Sequence, residues 1–345
     1  MREICLVADC YDHLHEVNIE PRHLDIHGGA VTSLVFLDDG KHIVCGCKDG
    51  SIRRWRVSDW GEIGPTMKSD GTVNSVAASQ DGKWVVSGGA GCKVTIWDAS
   101  SHEKVGESTE QYERGVTALD ISPDSSCVAA GSEDGSVIIW CLESRERIAG
   151  PLRHKQSRVS SVKFSPTGDR LASACTGWDC DSIRIWHSRT GDQLACLSAD
   201  TKPTYSFAWT RDGRRLFAGG PRGSIRCFNV TTQSILSRFG DQISDSVTSL
   251  CISNNGRFLV AGSASGCSLS FWDINTLQPI LPTLFQPSEV LTIAISPDDQ
   301  HLASGAIDKK ITVRSLPDIV PLSYFFHVRM LICSATSWTG LHLTS

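Results

Sequence analysis

The sequence predicts an all-β fold built from seven tandem units. An anchor residue recurs at Val31, Val73, Val116, Val159, Thr204, Val247 and Val290, at spacings of 42, 43, 43, 45, 43 and 43 residues. Each unit closes on a fixed position, Trp55, Trp97, Trp140, Trp186, Phe228 and Trp272, with Arg314 in the seventh. Between these positions, short alternating stretches are broken by turns rich in Asp, Asn and Gly.

The first stretch of a unit, as in Val159 to Phe164, alternates with period two, as a half-buried strand does. A tight turn follows, such as Ser165-Pro166-Thr167-Gly168, Asp38-Asp39-Gly40 or Asn254-Asn255-Gly256. These residue types adopt turn geometry that β-branched residues resist. The second strand is small and apolar, as in Leu171-Ala172-Ser173-Ala174, which suits the crowded inner part of a radial sheet. A second turn carries Asp-Gly at Asp49-Gly50 and Asp134-Gly135. The third strand reads Ile-x-x-Trp from Ile52 to Trp55 and from Ile183 to Trp186, and a less regular fourth strand follows, as at Arg147 to Leu152.

These residues resemble the WD40-repeat family. Trp97-Asp98 and Trp272-Asp273 are its name-giving dipeptide, Ser122-Pro123-Asp124 is its usual first turn, and the likeness runs from about residue 20 to 315. A period of ~40–45 residues is that of this repeat. The resemblance implies a seven-bladed β-propeller of four-stranded antiparallel blades. The seventh unit supplies three strands only. The resemblance implies that residues 19–26, Ile19 to Ile26, give the fourth and close the ring, removing an exposed sheet edge. The expected organisation is a non-repeat segment at 1–18, the propeller at 19–316 and a non-repeat tail at 317–345.

The family's structural network implies a role for His27, four residues before Val31, with Asp49 and Trp55 as its partners. The corresponding acids elsewhere are Asp134, beside Trp140, and Asp308. Other turns have lost the acid, so fewer blades are expected to be pinned.

Composition bounds the function. The 345 residues carry a net charge of −5, which argues against a nucleic-acid surface spread over the whole protein. No signal-like start precedes the 14 cysteines, many of which sit in apolar strand-like segments, so a reducing, cytoplasmic setting is expected, the nucleus being compatible. Cys175 and Cys180 can approach one another, but no disulfide is expected in that setting. In the tail, Ile319 to Ala335 is apolar yet contains Pro321, His327 and Arg329, which is marginal for a membrane span. The alternatives for it are packing on the last blade, competing for that blade's open edge, or a non-native end.

No catalytic constellation is found. Ser87 to Lys93 is glycine-rich but lies between strands, whereas a phosphate loop needs a following helix. The inner ends of the first strands carry Val, Thr and Ser rather than converging acids and histidines. His13 and His15 are two ligand types where a metal site needs more. No metal, cofactor or small-molecule substrate is expected, nor an enzyme.

The expected function is a protein-interaction scaffold or adaptor, or a subunit or sensing part of a larger complex, with other proteins or peptides as partners. An RNA- or chromatin-associated propeller is the alternative, and an enzyme with a channel site is the third reading. The residue before each anchor and the second turn share one face, the top. Partner-contacting candidates there are Lys48, Arg114, Glu133, Arg158, Arg222, Glu289 and Lys309. Unit four has three extra residues, and its insertion places Trp178 and Asp179 in a top-face loop. An exposed Trp is a frequent interaction hot spot.

Overall fold

The computed structural model describes residues 21–26, 28–154, 157–177, 183–197, 203–240 and 245–325. Among these are seven four-stranded antiparallel sheets. Blade one consists of Val31–Phe36, His42–Cys47, Ser51–Arg56 and Met67–Lys68, and the next five blades repeat that order. Blade seven is split. Val290–Ile295, His301–Ala306 and Lys310–Ser315 come from one end of the ring, and Arg22–Asp25 pairs with Lys310–Ser315 as the fourth strand. The expected N-terminal closure is present, with Leu24 opposite Ile311 and Asp25 opposite Lys310.

The core lies between blades rather than within one. Val44 and Ile52 of blade one pack with Val73, Val85 and Trp97 of blade two. Across the closure, Ile311 and Val313 pack with Ile43 and Trp55. Each fully buried aliphatic side chain stabilises by about 1.5–3 kcal/mol relative to exposure. A glycine in six of the seven blades lets neighbours approach this closely. A Cβ on Gly131 would stand 2.3 Å from a Val159 methyl, and one on Gly305 would stand 2.5 Å from a Val31 methyl. Gly46, Gly88, Gly219 and Gly262 face the next anchor valine in the same way. Blade four has Ala174 at this position, and the blade after it opens with Thr204 instead of Val.

Hydroxyls stitch the inner strands into a ring. Ser33 Oγ accepts the Val76 N–H at 3.1 Å, Ser75 Oγ the Leu119 N–H at 3.0 Å, and Ser206 Oγ the Leu250 N–H at 3.0 Å. Ser249 serves Ile293, and Thr292 serves Leu34 across the closure. Blade three has Ala118 there, and Asp120 replaces the hydroxyl by accepting the Phe164 N–H at 2.8 Å.

The described part of the tail packs under blade six. Arg257 Nη1 donates to the Ser323 carbonyl at 2.7 Å, Asn255 Nδ2 to the Tyr324 carbonyl at 2.9 Å, and Tyr324 Oη to Asp273 at 3.0 Å. The open edge of blade seven is thus taken by Arg22–Asp25 and not by this segment. No helix among the described residues is long and apolar enough to cross a membrane. One expectation is corrected. Cys175 is disulfide-bonded, and its partner lies outside the described residues. The expectation rested on compartment, which sets redox poise, whereas bonding also depends on which sulphurs the fold brings together.

Candidate interaction face

Strand register fixes which residues share a face. Val31 is opposite Cys47, Val116 opposite Ser132, Val159 opposite Cys175 and Val290 opposite Ala306. The segment entering each first strand therefore lies beside the turn between the second and third strands.

Beneath this face the Trp of each third strand meets a position on the second strand. Where that position is Ser, the indole is bonded: Trp97 Nε1 donates to Ser87 Oγ at 2.9 Å, and Trp186 Nε1 to Ser173 Oγ at 2.7 Å. In blade four the same Ser173 Oγ lies 2.7 Å from His154 Nε2, and both residues are buried. Blade three has Ala130 instead, and Tyr112 fills the gap. Its hydroxyl donates to the Ala130 carbonyl at 3.1 Å and lies 3.4 Å from Trp140 Nε1. Burial pushes the Tyr112 phenol well above its usual range. In blade six the position is Ala261, and the buried Trp272 Nε1 has no hydrogen-bond partner among the described residues. In blade five, buried Arg226 donates to Thr204 Oγ1 at 2.6 Å.

The acids of the expected network bond within their own turns. Asp49 Oδ1 accepts from the Ser51 hydroxyl at 2.6 Å and its N–H at 3.1 Å. Burial works to raise the Asp49 carboxyl, but the Ser51 bonds hold it below the usual range. Asp134 accepts likewise from Ser136 and also from the Glu113 N–H. Asp308 accepts the Lys310 N–H at 3.2 Å. Trp55 Nε1 is buried without an oxygen acceptor among the described residues, beside the Cys45 thiol that replaces the serine. His27 lies outside the described residues. Sequence reasoning missed His154, which stands five residues before its anchor where four was sought, and it missed Tyr112 and Arg226, whose residue types gave no signal. The serine at 87 and 173 was the readable clue.

Of the candidate contact residues, Lys48, Arg114, Arg158, Arg222 and Lys309 are exposed, and Glu133 and Glu289 are half-buried. Arg158 and Glu133 come together, Nε to Oε1 at 4.0 Å. The others are not paired with one another. Trp178 and Asp179 lie outside the described residues.

Residues 72–337 match the sequence family described as the IFT122 first beta-propeller, and residues 20–56 match the WD domain, G-beta repeat. The chain is similar to Autophagy-related protein 16 of Arabidopsis thaliana, 24% identical over 96% of the chain and 57% of that protein. It is 25% identical to U3 small nucleolar RNA-associated protein 12 of Saccharomyces cerevisiae over 41% of the chain and 16% of that protein. It is 38% identical to Nuclear distribution protein nudF of Emericella nidulans over 24% of the chain and 19% of that protein. The chain thus spans less than two thirds of each of these relatives.

Proposed function

The chain belongs to the WD-repeat propellers of the IFT122 first beta-propeller family, and from that premise we propose that it is a protein-interaction scaffold that works through its top face. One observation carries the reading. Four exposed top-face cations, Lys48, Arg114, Arg222 and Lys309, have no carboxylate partner among the described residues. A rigid frame that displays uncommitted side chains on loops is how repeat scaffolds bind. Acids are interleaved with these cations at Asp49, Glu133, Asp134 and Asp308. That mixed pattern favours a protein partner over the uniform anion of a nucleic acid. Trp178, on the insertion of unit four, is proposed as an apolar anchor in the same surface. The relatives whose names denote an autophagy-related protein and a nuclear distribution protein support an intracellular role. The propeller is proposed to extend over 19–316, with 1–18 and 317–345 outside the repeat.

The test is affinity capture from the native cell extract with wild type, Arg158→Glu, Arg222→Glu and Trp178→Ala, each checked for an unchanged unfolding midpoint. Proteins held by wild type and released by the top-face variants support the reading. Capture that is indifferent to all three variants moves the working surface elsewhere, and the top-face assignment fails.

A further inference from the structure

Blade seven is the one blade whose third and fourth strands are not joined by a turn. The third strand ends at Ser315 and continues to the 3-10 turn Leu322–Tyr324, while the fourth begins at Arg22. In the other blades a continuous segment of chain joins these strand ends. Here a cavity of about 660 Å³ lies at the bottom of the junction between blades seven and one, and both severed ends line it: Pro21 and Arg22 on one side, Ser315, Asp318 and Ile319 on the other. Blade one contributes Lys41, His42, Arg56, Val57 and Trp60. The volume is within the range of about 300–1,000 Å³ typical of ligand sites.

The lining is cationic in a chain of net charge −5. It contains Arg22, Lys41, Arg56 and Arg314 against Asp298 and Asp318, with His42 and His301. Some of these groups are committed. Arg56 is paired with Asp59 at 2.7 Å, His42 with Asp39, and the Asp298 carboxylate accepts from Ser296 and the Gln300 N–H. Arg22 makes one long contact, 3.4 Å to the Ser58 carbonyl. Lys41 and Arg314 have no carboxylate partner among the described residues. Arg314 stands where other blades have Trp or Phe, and its buried Nε has no hydrogen-bond partner among the described residues. One His301 ring nitrogen, Nδ1, is buried in the same state. Arg22 and Lys41 are exposed and open to an anion, while half-buried Arg314 carries a desolvation cost that an anion would offset.

We propose that this seam cavity docks an acidic linear peptide of a partner protein, its carboxylates meeting Arg22, Lys41 and Arg314 and an intervening apolar side chain meeting Trp60 and Ile319. The three cations sit on three elements: the closing strand, the first turn of blade one and the third strand of blade seven. Such a spread matches charges distributed along a chain better than a single compact anion. The site is on the face opposite the second turns, so it stands or falls independently of the top-face reading.

The test is fluorescence polarisation on the full chain with a fluorescein-labelled peptide of alternating glutamate and leucine, beside its glutamine–leucine counterpart. The expected result is saturable binding of the glutamate peptide that weakens as salt rises. The double variant Arg22→Glu/Lys41→Glu is expected to weaken it by about tenfold or more, since reversing uncommitted cations replaces attraction with repulsion. Arg153→Glu, an exposed cation on blade three, is expected to leave binding unchanged. Circular dichroism and a urea midpoint establish that the double variant is folded. The proposal is overturned if the glutamine peptide binds equally, if the double variant binds within about twofold of wild type, or if wild type does not bind. Complete competition by millimolar inorganic phosphate also overturns it, by reducing the cavity to a simple anion site.

Discussion

Ser173→Ala is expected to cost far more than the loss of one hydroxyl from a strand suggests. Ser173 Oγ lies 2.7 Å from both Trp186 Nε1 and His154 Nε2, in a buried site. Alanine removes the oxygen that both nitrogens share. A buried polar group left unpaired costs about 1–3 kcal/mol, so the pair together should lose about 2–6 kcal/mol. Ser87→Ala is the internal control, because Ser87 satisfies only the Trp97 indole, at 2.9 Å. Its cost should be about half as large. Urea unfolding followed by circular dichroism measures both variants. A double-mutant cycle with Trp186→Phe then isolates the indole bond, since Phe has no N–H to strand. Ser173→Ala should be cheaper in that background by about 1–1.5 kcal/mol. Additivity within about 0.5 kcal/mol would show that the two side chains do not act through this bond, and the reasoning would be refuted.

Three further outcomes follow from the same geometry. Ala261→Ser offers the unpaired Trp272 indole the acceptor that blades two and four possess, and should raise stability by about 1 kcal/mol; a destabilised variant in urea unfolding would mean that the added oxygen finds no partner. Gly131→Ala places a methyl 2.3 Å from the Val159 side chain and should cost about 1–3 kcal/mol by overpacking, partly rescued by Val159→Ala, which removes the methyl it meets; a neutral effect would contradict the packing. Asp98, bonded by Ser100 and Ser101, has its carboxyl lowered from 3.8 to about 2. Its folded value lies below the unfolded one, so its contribution is complete above the unfolded value and is lost as pH falls through the folded one. An NMR titration of the Asp98 carboxyl should therefore give a midpoint near 2, and a midpoint at the ordinary value of 3.8 would refute it.

The repeat was legible because its cause is local. Anchors, glycines and turn acids recur at fixed spacing, and each is needed by the contact it makes with the next blade. The closing strand was legible for the same reason: seven units with one strand missing leave one place for Ile19 to Ile26. The buried network was less so. Whether a Trp is bonded depends on a residue near the end of the second strand, Ser87 and Ser173 in two blades, Cys45, Ala130 and Ala261 in three others. The compensation by Tyr112 arises from a loop whose sequence carries no repeat signal. The seam cavity was not legible at all. Its lining comes from residues near 21, 41, 58, 301 and 315, which only closure of the ring brings together.

The distribution of these networks bears on which loops the scaffold can hold still. Blade six leaves Trp272 unbonded and has a fourth strand of two residues, Leu284–Phe285; it is supported from below, where Tyr324 and Phe325 pack on Phe258. Blade four is the reverse case. It holds Trp186 by Ser173, couples that serine to His154, and adds an edge contact between His154 and Trp186 at 6.3 Å. It is also the blade with three additional residues after its second strand. A longer loop has more conformations to lose when a partner binds, and a well-bonded base limits that loss at both ends. Placing the insertion on the blade with the most complete His–Ser–Trp contact therefore favours binding there over the same insertion on blade six.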